Sequence, residues 1–349
     1  MTPPSTEASR IPLSVLDVAP VWRGSTASQA LRDTLDLARR VERFGYQRYW
    51  MAEHHNTPSL ATSVPGVMTG MVAGVTSTIR VGSGGVLLPN HPPFVVAEQF
   101  GTLEAIHPGR IDLGLGRAPG TDPLTARALH RTSSGDDFPE RISELLGYFA
   151  GPDGSPSKSL INAVPAGEHR PQVWVLGSSP ASGQLAGLLG LPYAYAHQIR
   201  PQLTAVSIGA YREHFRPSPD LRRPHSIVCA MVVAGEDDAK AQRLIGPMGL
   251  TYVLHRRGVP VGDPLPTQRE ADTFVYTTGD RELLDEYLGP QLVGGPETLA
   301  QKVPEFLAET GADELMALTG IPDHEARVRS YELLAQAVGL ARDGVSVTG

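Results

Sequence analysis

Glu53-His54-His55 closes the run YWMAEHH and sets three ionisable groups side by side at the end of an apolar, aromatic stretch. Two chemistries suit such a run, metal ligation and proton transfer. On a strand, neighbouring side chains leave opposite faces, so His54 and His55 do not converge easily on one ion. No histidine elsewhere stands i, i+4 from a His, Asp or Glu to complete a site. A bound metal is therefore not expected. A single imidazole titrating near neutrality needs no second ligand to act as general acid or base. The plainer alternative is a set of satisfied polar residues at a strand end.

The run IRVGSGGVLLPNHPP carries Gly82, Gly84 and Gly85 inside an apolar β pattern. Glycine weakens a strand, and a cluster marks a bulge or a close approach of backbone to a ligand. The run RIDLGLGRAPG ends with Gly114, Gly116 and Arg117. It lacks the GxGxxG spacing of a dinucleotide turn, and no helix follows at once. Arg117 reads better as a partner for an anion or a carbonyl.

A third run, PQVWVLGSSPASGQLAGLLG, passes from strand to helix through Gly177-Ser178-Ser179-Pro180. Free N–H groups at a helix start bind phosphate, and proline is tolerated in the first turn. Ordinary N-capping would equally account for one of the serines.

These runs need a scaffold that brings strand ends together. Short β-rich segments begin near Ile11, Gln47, Ile79, Arg110, Gln172, Pro192, Ser226 and Asp313, with helical patterns between them. In the first helix Ser28 is the expected N-cap, Leu31, Leu35, Ala38 and Val41 recur at helical spacing, and Gly45 ends it. Short connections between alternating strands and helices imply parallel strands with right-handed crossovers. Eight such units predict an α/β fold, a closed (β/α)8 TIM barrel. Residues 118–170, with one short helix at Phe138–Phe149, and 246–295, which contain GVPVGDPLP, exceed a minimal unit. Both follow strands, so they are expected as insertions over the C-terminal face, as pocket loops or as surface padding. The whole chain, 1–349, reads as a single domain.

The bulk numbers exclude several classes. A hydrophobic fraction of 41% suits a large core, and a net charge of −7 leaves no electrostatic footprint for nucleic acid or an anionic membrane. Cys229 is the sole cysteine, set in an apolar run, so no internal disulfide forms and a small buried hydrophobe is expected. The segment MTPPSTEASR has no apolar targeting core, and no run is long enough for a membrane helix. A cytoplasmic location is the expectation. Lysine occurs only at Lys158, Lys240 and Lys302 among many arginines, as in chains from GC-rich genomes.

AEHH, RVGSGGVLLPNHPPFVVAEQFGTL, HPGRIDLGLGRAPG and VWVLGSSPASGQLAGLLGLPYAYAHQI occur in this order at successive strand ends. In these pieces the chain resembles the luciferase-like flavin-dependent monooxygenases, over nearly its whole length. The resemblance implies that His54 matches the family histidine of the oxygen chemistry and that Glu53 is its flavin-side neighbour. It places a non-prolyl cis peptide at Gly84–Gly85 and a flavin contact at Arg117. It puts the FMN phosphate at Gly177, Ser178, Ser179 and Ser182. Gly116 stands where the light emitters carry a reactive thiol, and 246–295 does not match their mobile loop, which points to the non-luminescent branch.

The implied function is a monooxygenase using reduced FMN (FMNH2) and O2 on a small organic substrate, as in natural-product tailoring. A separate NAD(P)H:flavin reductase would supply the FMNH2, and the assembly expected is a homodimer. Three alternatives stand beside it: a deazaflavin-dependent hydride-transfer enzyme, a non-catalytic flavin-binding protein, and a metal-dependent barrel hydrolase or isomerase using His54 and His55.

Overall fold

The computed structural model describes residues 11–118, 120–131, 135–150, 161–259 and 264–340. Nine parallel strands form its sheet: β1 (Leu13–Asp17), β2 (Arg48–Met51), β3 (Arg80–Leu87), β4 (Ile111–Gly116), β5 (Gln172–Gly177), β6 (Tyr193–Ala196), β7 (Ser226–Ala234), β8 (Leu292–Gly294) and β9 (Glu314–Leu318). The order β1 to β7 followed by β9, which returns to β1, closes an eight-stranded barrel. Each barrel strand starts within two residues of its expected position. The extra strand β8 pairs only with Val232–Ala234 at the end of β7. Its three residues are too few to show a period, so the pattern of the sequence passes over it.

The helices show why the alternation works. Ala27–Arg43 buries Ala30, Thr34, Leu37, Ala38 and Val41. Its cap is Thr26 rather than Ser28: the Thr26 hydroxyl accepts the Gln29 N–H at 3.1 Å. Leu31 and Leu35 are half-buried, and Leu37 takes the central place instead. Gly45, at φ +88°, then turns the chain into β2, a left-handed conformation that favours glycine.

Alternation along the strands divides each into an inward and an outward row. Leu16, Trp50, Ala52, Trp174, Ala194, Ile227, Cys229 and Met316 fill the barrel interior. Trp50 and Trp174 meet edge to face at 5.2 Å between ring centroids. Each buried indole stabilises by about 4–6 kcal/mol on area alone. Cys229 is buried in this cluster as expected, and burial pushes its thiol up to about 12.

The N-terminal end of the barrel is closed by charge. The Arg48 guanidinium donates to Asp112 at 2.8 Å and to Glu314 at 3.2 Å, and lies 4.7 Å from the Trp174 ring. Arg80 and the Trp50 indole N–H also donate to Asp112, at 2.9 Å each. Ser14 donates to Glu314, and His225 pairs with it at 3.2 Å.

The two long insertions gather over the other end. Gly120 and Thr121 contact the His55 backbone, and Asp122 accepts from Asn56. Leu265 exchanges two backbone hydrogen bonds with Val21 and Arg23 in the loop after β1. The second insertion is not a loop: it carries helices Gly246–Arg256, Gln268–Thr273 and Thr278–Leu288. Lys158, the Pro260–Asp263 part of GVPVGDPLP and MTPPSTEASR lie outside the described residues.

Candidate active site

The residues singled out in the sequence come from the C-terminal ends of four consecutive strands, β2 to β5. They therefore share one side of the barrel mouth.

His54 follows β2 in the inward row of Trp50 and Ala52. Its N–H donates to Thr62 O at 2.8 Å, which fixes the backbone. The ring is largely enclosed, and Nδ1 is buried without a hydrogen-bond partner. Burial holds its pKa below the ordinary 6.5, against the pull of the Glu53 carboxylate. At neutral pH the ring is an uncharged imidazole with an unanswered polar atom, a state suited to accepting or passing a proton.

Glu53 and His55 face the other way. The buried Glu53 carboxylate accepts from Leu87 N–H at 3.0 Å, Asn90 Nδ2 at 3.2 Å, and His55 and His91 Nε2 at 2.9 Å each. Burial by itself would raise its pKa. The bonds donated by His91, Leu87 and His55 outweigh that and hold it low. The cluster ties the end of β2 to the 3-10 turn Leu88–Asn90 after β3.

Glu53, His55 and His91 also stand close enough to hold a cation. His54 is not part of this group. His91 joins instead from the next loop, and only NHPP after the strand hinted at it. Four N–H donors already surround the carboxylate, which is the arrangement of a hydrogen-bonded anchor. A second such group, Asp36, His324 and Glu325, lies outside the barrel, where Arg40 bonds to both Asp36 and Glu325.

At Gly84–Gly85 the peptide is cis, and the β3–β4 register shifts between Gly84 and Val86. The bulge reading of the glycine cluster therefore holds. A Cβ on Gly85 would lie 2.7 Å from Gly114 O, and one on Gly114 would lie 2.3 Å from Ser83 O. These two strands demand glycine of each other. Arg117, just beyond β4, is exposed and makes no ion pair among the described residues.

After β5, Ser179 is the N-cap of helix Pro180–Leu189 and forms a capping box with Ser182. The Ser182 hydroxyl donates to Ser179 O at 2.6 Å and contacts the Tyr193 hydroxyl at 2.9 Å. Gly177 is obligatory here, since a Cβ would sit 2.0 Å from Ser182 Oγ. Capping thus occupies Ser179 and Ser182. The Ser178 hydroxyl makes no hydrogen bond among the described residues and stands beside the first-turn N–H groups. The Ser178 hydroxyl near a helix start and the unanswered His54 Nδ1 are groups that a phosphate-bearing ring with polar edges could answer.

Residues 11–314 match the family model described as luciferase-like monooxygenase. The chain belongs to the luciferase-like monooxygenase family. A luciferase-like monooxygenase of Escherichia coli (strain K12) is 42% identical over 93% of this chain and 96% of its own. The N-acetyl-S-alkylcysteine monooxygenase of Bacillus subtilis (strain 168) is 30% identical over 95% of this chain and 99% of its own. Among solved structures, apo-MsnO8 superposes with a TM-score of 0.87 at 37% identity, covering 95% of this chain and 99% of that one. Two more distant structures share the fold alone. One is the oxygenating constituent of 3,6-diketocamphane monooxygenase from Pseudomonas putida in complex with FMN (TM-score 0.71, 20% identity, 94% of this chain and 98% of that one). The other is an F420-dependent secondary alcohol dehydrogenase (0.67, 14%, 96% and 100%). One barrel fold thus occurs in an FMN-bound monooxygenase and in an F420-dependent dehydrogenase.

Proposed function

We propose that this chain is a single-domain monooxygenase that takes reduced FMN and O2 and oxygenates a small organic substrate. The observation that carries the reading is His54: a neutral, largely enclosed imidazole with a partnerless Nδ1 at the C-terminal end of a barrel strand. Reduced FMN, when bound, supplies the electrons for oxygen activation. The chain supplies the setting. Ser178 and the first-turn N–H groups of Pro180–Leu189 bind the phosphate, helped by the helix dipole, and Arg117 adds positive charge from β4. The glycine backbone at Gly84–Gly85 would help hold the ring. His54 holds or passes a proton at Nδ1. The Glu53–His55–His91 cluster keeps the β2 and β3 loops in register beneath it. Apolar walls exclude water from the reacting atoms.

A thioether or another small organic molecule is the substrate class, supported by the Bacillus relative named for N-acetyl-S-alkylcysteine; a natural-product tailoring step is a further option within it. A separate NAD(P)H:flavin reductase provides the reduced FMN, since the sequence carries no nicotinamide fingerprint. The assembly is a homodimer. Helix Pro65–Val75 buries Thr69, Val72 and Ala73 yet exposes Val67 and Met71, and Val95 and Ile106 are exposed on its neighbour Pro93–Ile106. Such an apolar outer face calls for a partner. The location is cytoplasmic. No described helix is long and apolar enough to cross a membrane, and the sole cysteine rules out an internal disulfide.

The test supplies the purified chain with reduced FMN, O2 and a panel that includes N-acetyl-S-alkylcysteines. Oxygen uptake with a product one oxygen atom heavier is expected. Hydride transfer with reduced deazaflavin, and no oxygen product, would establish the alternative chemistry. FMN binding with no turnover on any substrate would make it a carrier.

A further inference from the structure

The mouth has a second unanswered polar atom, on the wall facing His54. In an eight-stranded barrel β2 and β6 stand four strands apart, on opposite sides. Beyond β6 the chain stays paired with β7: His197 N–H donates to Cys229 O at 2.8 Å and Gln198 N–H reaches the same oxygen at 3.4 Å. The chain then turns, with Ile199 N–H donating to Ala196 O at 3.2 Å, and Gln198 sits in that turn at the C-terminal end of β6. Its side-chain amide meets the thiol of Cys229, a member of the interior cluster. Its Oε1 is buried and has no partner.

A buried acceptor left unpaired costs free energy that a ligand N–H recovers. His54 Nδ1 and Gln198 Oε1 thus present one polar contact from each wall. We propose that Gln198 is a cofactor-binding residue whose Oε1 accepts the imide N3–H at the pyrimidine edge of the isoalloxazine ring. The assignment rests on the flavin reading. With His54 serving the reacting centre, the opposite wall meets a ring edge. The imide N3–H is the edge donor present in both oxidised and reduced flavin, so this contact persists through turnover.

The experiment titrates the full-length apo-protein with FMN and with N3-methyl-FMN, followed by fluorescence quenching. N3-methylation is expected to weaken binding to the wild type about tenfold, the scale of one net hydrogen bond. In Gln198→Leu, FMN should bind about tenfold more weakly, and methylation should then cost roughly twofold or less. Gln198→Glu keeps an acceptor and should keep the methylation penalty, which covers the case in which the leucine variant does not fold. Equal wild-type affinity for the two flavins, or an undiminished penalty in Gln198→Leu, overturns the contact while leaving the flavin reading intact. A wild type that binds neither flavin overturns both.

Discussion

The two ends of this barrel differ in which of their buried polar side chains are answered. At the N-terminal end Arg48, Arg80, Asp112, Glu314, His225, Ser14 and the Trp50 indole bond to one another. At the C-terminal end His54 Nδ1 and Gln198 Oε1 are buried with no partner. The first arrangement has its energy in hand when the chain folds. The second holds part of it back for a ligand. A barrel that must be both stable and reactive can separate the two tasks along its axis, because strand polarity puts every variable loop at one end.

The sharpest break of this contrast is at His54. His54→Ala should lower product formation by about 10²–10⁴-fold, with circular dichroism and FMN affinity close to wild type. Steady-state assays with product and hydrogen peroxide quantified would check it. His55→Ala, which removes one donor to Glu53, should be the milder variant. A dead His55→Ala beside an active His54→Ala would move the chemistry to the anchored cluster. Because burial lowers the His54 pKa, the acidic limb of wild-type kcat/KM should lie below pH 6.5 and vanish in His54→Ala.

The floor should answer in stability instead. Arg48→Met leaves two carboxylates, Asp112 and Glu314, short of a buried partner. A loss of about 3–5 kcal/mol is expected in urea unfolding, with turnover per folded molecule preserved. A large fall in turnover of the folded variant would show that the two ends are coupled.

The serines permit a finer division within the mouth. Ser178→Asp should weaken FMN roughly five- to tenfold by charge repulsion and leave riboflavin nearly unchanged. Ser179→Ala should instead cost about 1 kcal/mol of stability, as an N-cap does. Equal loss of both flavins in Ser178→Asp would remove the phosphate from this position.

Acid should weaken both ends in the same direction. Glu314 and Glu53 have pKa values below the ordinary 4.5, and Asp17, held by Arg327, below 3.8. The stability they add is complete above those ordinary values and lost as pH falls through the lowered ones. His54 adds to this: the unfolded chain takes up its proton first, so stability erodes once pH drops below 6.5. Thermal melts from pH 8 to 3 should therefore fall throughout, beginning gently near 6.5. A rise on acidification in that first interval would mean that the imidazole is charged in the folded state.

The sequence made much of this legible. Eight strand starts, the bulge at Gly84 and the placing of His54 and His55 on opposite faces follow from local preference and a period of two, which a chain carries in its order of residues. Other features needed the barrel to close. Ser178 and Ser179 look alike in the chain, and only the capping box with Ser182 separates the free hydroxyl from the engaged one. His91 stands 38 positions from Glu53, and no pattern links them until β2 and β3 pair. Gln198 reads as an ordinary polar residue after a strand. What makes it notable is a buried oxygen without a partner, and burial is a property of everything packed around it. The order of residues therefore determined the scaffold and the histidine at its mouth. Tertiary structure decided which polar atoms were satisfied, because satisfaction depends on groups brought together from distant parts of the chain.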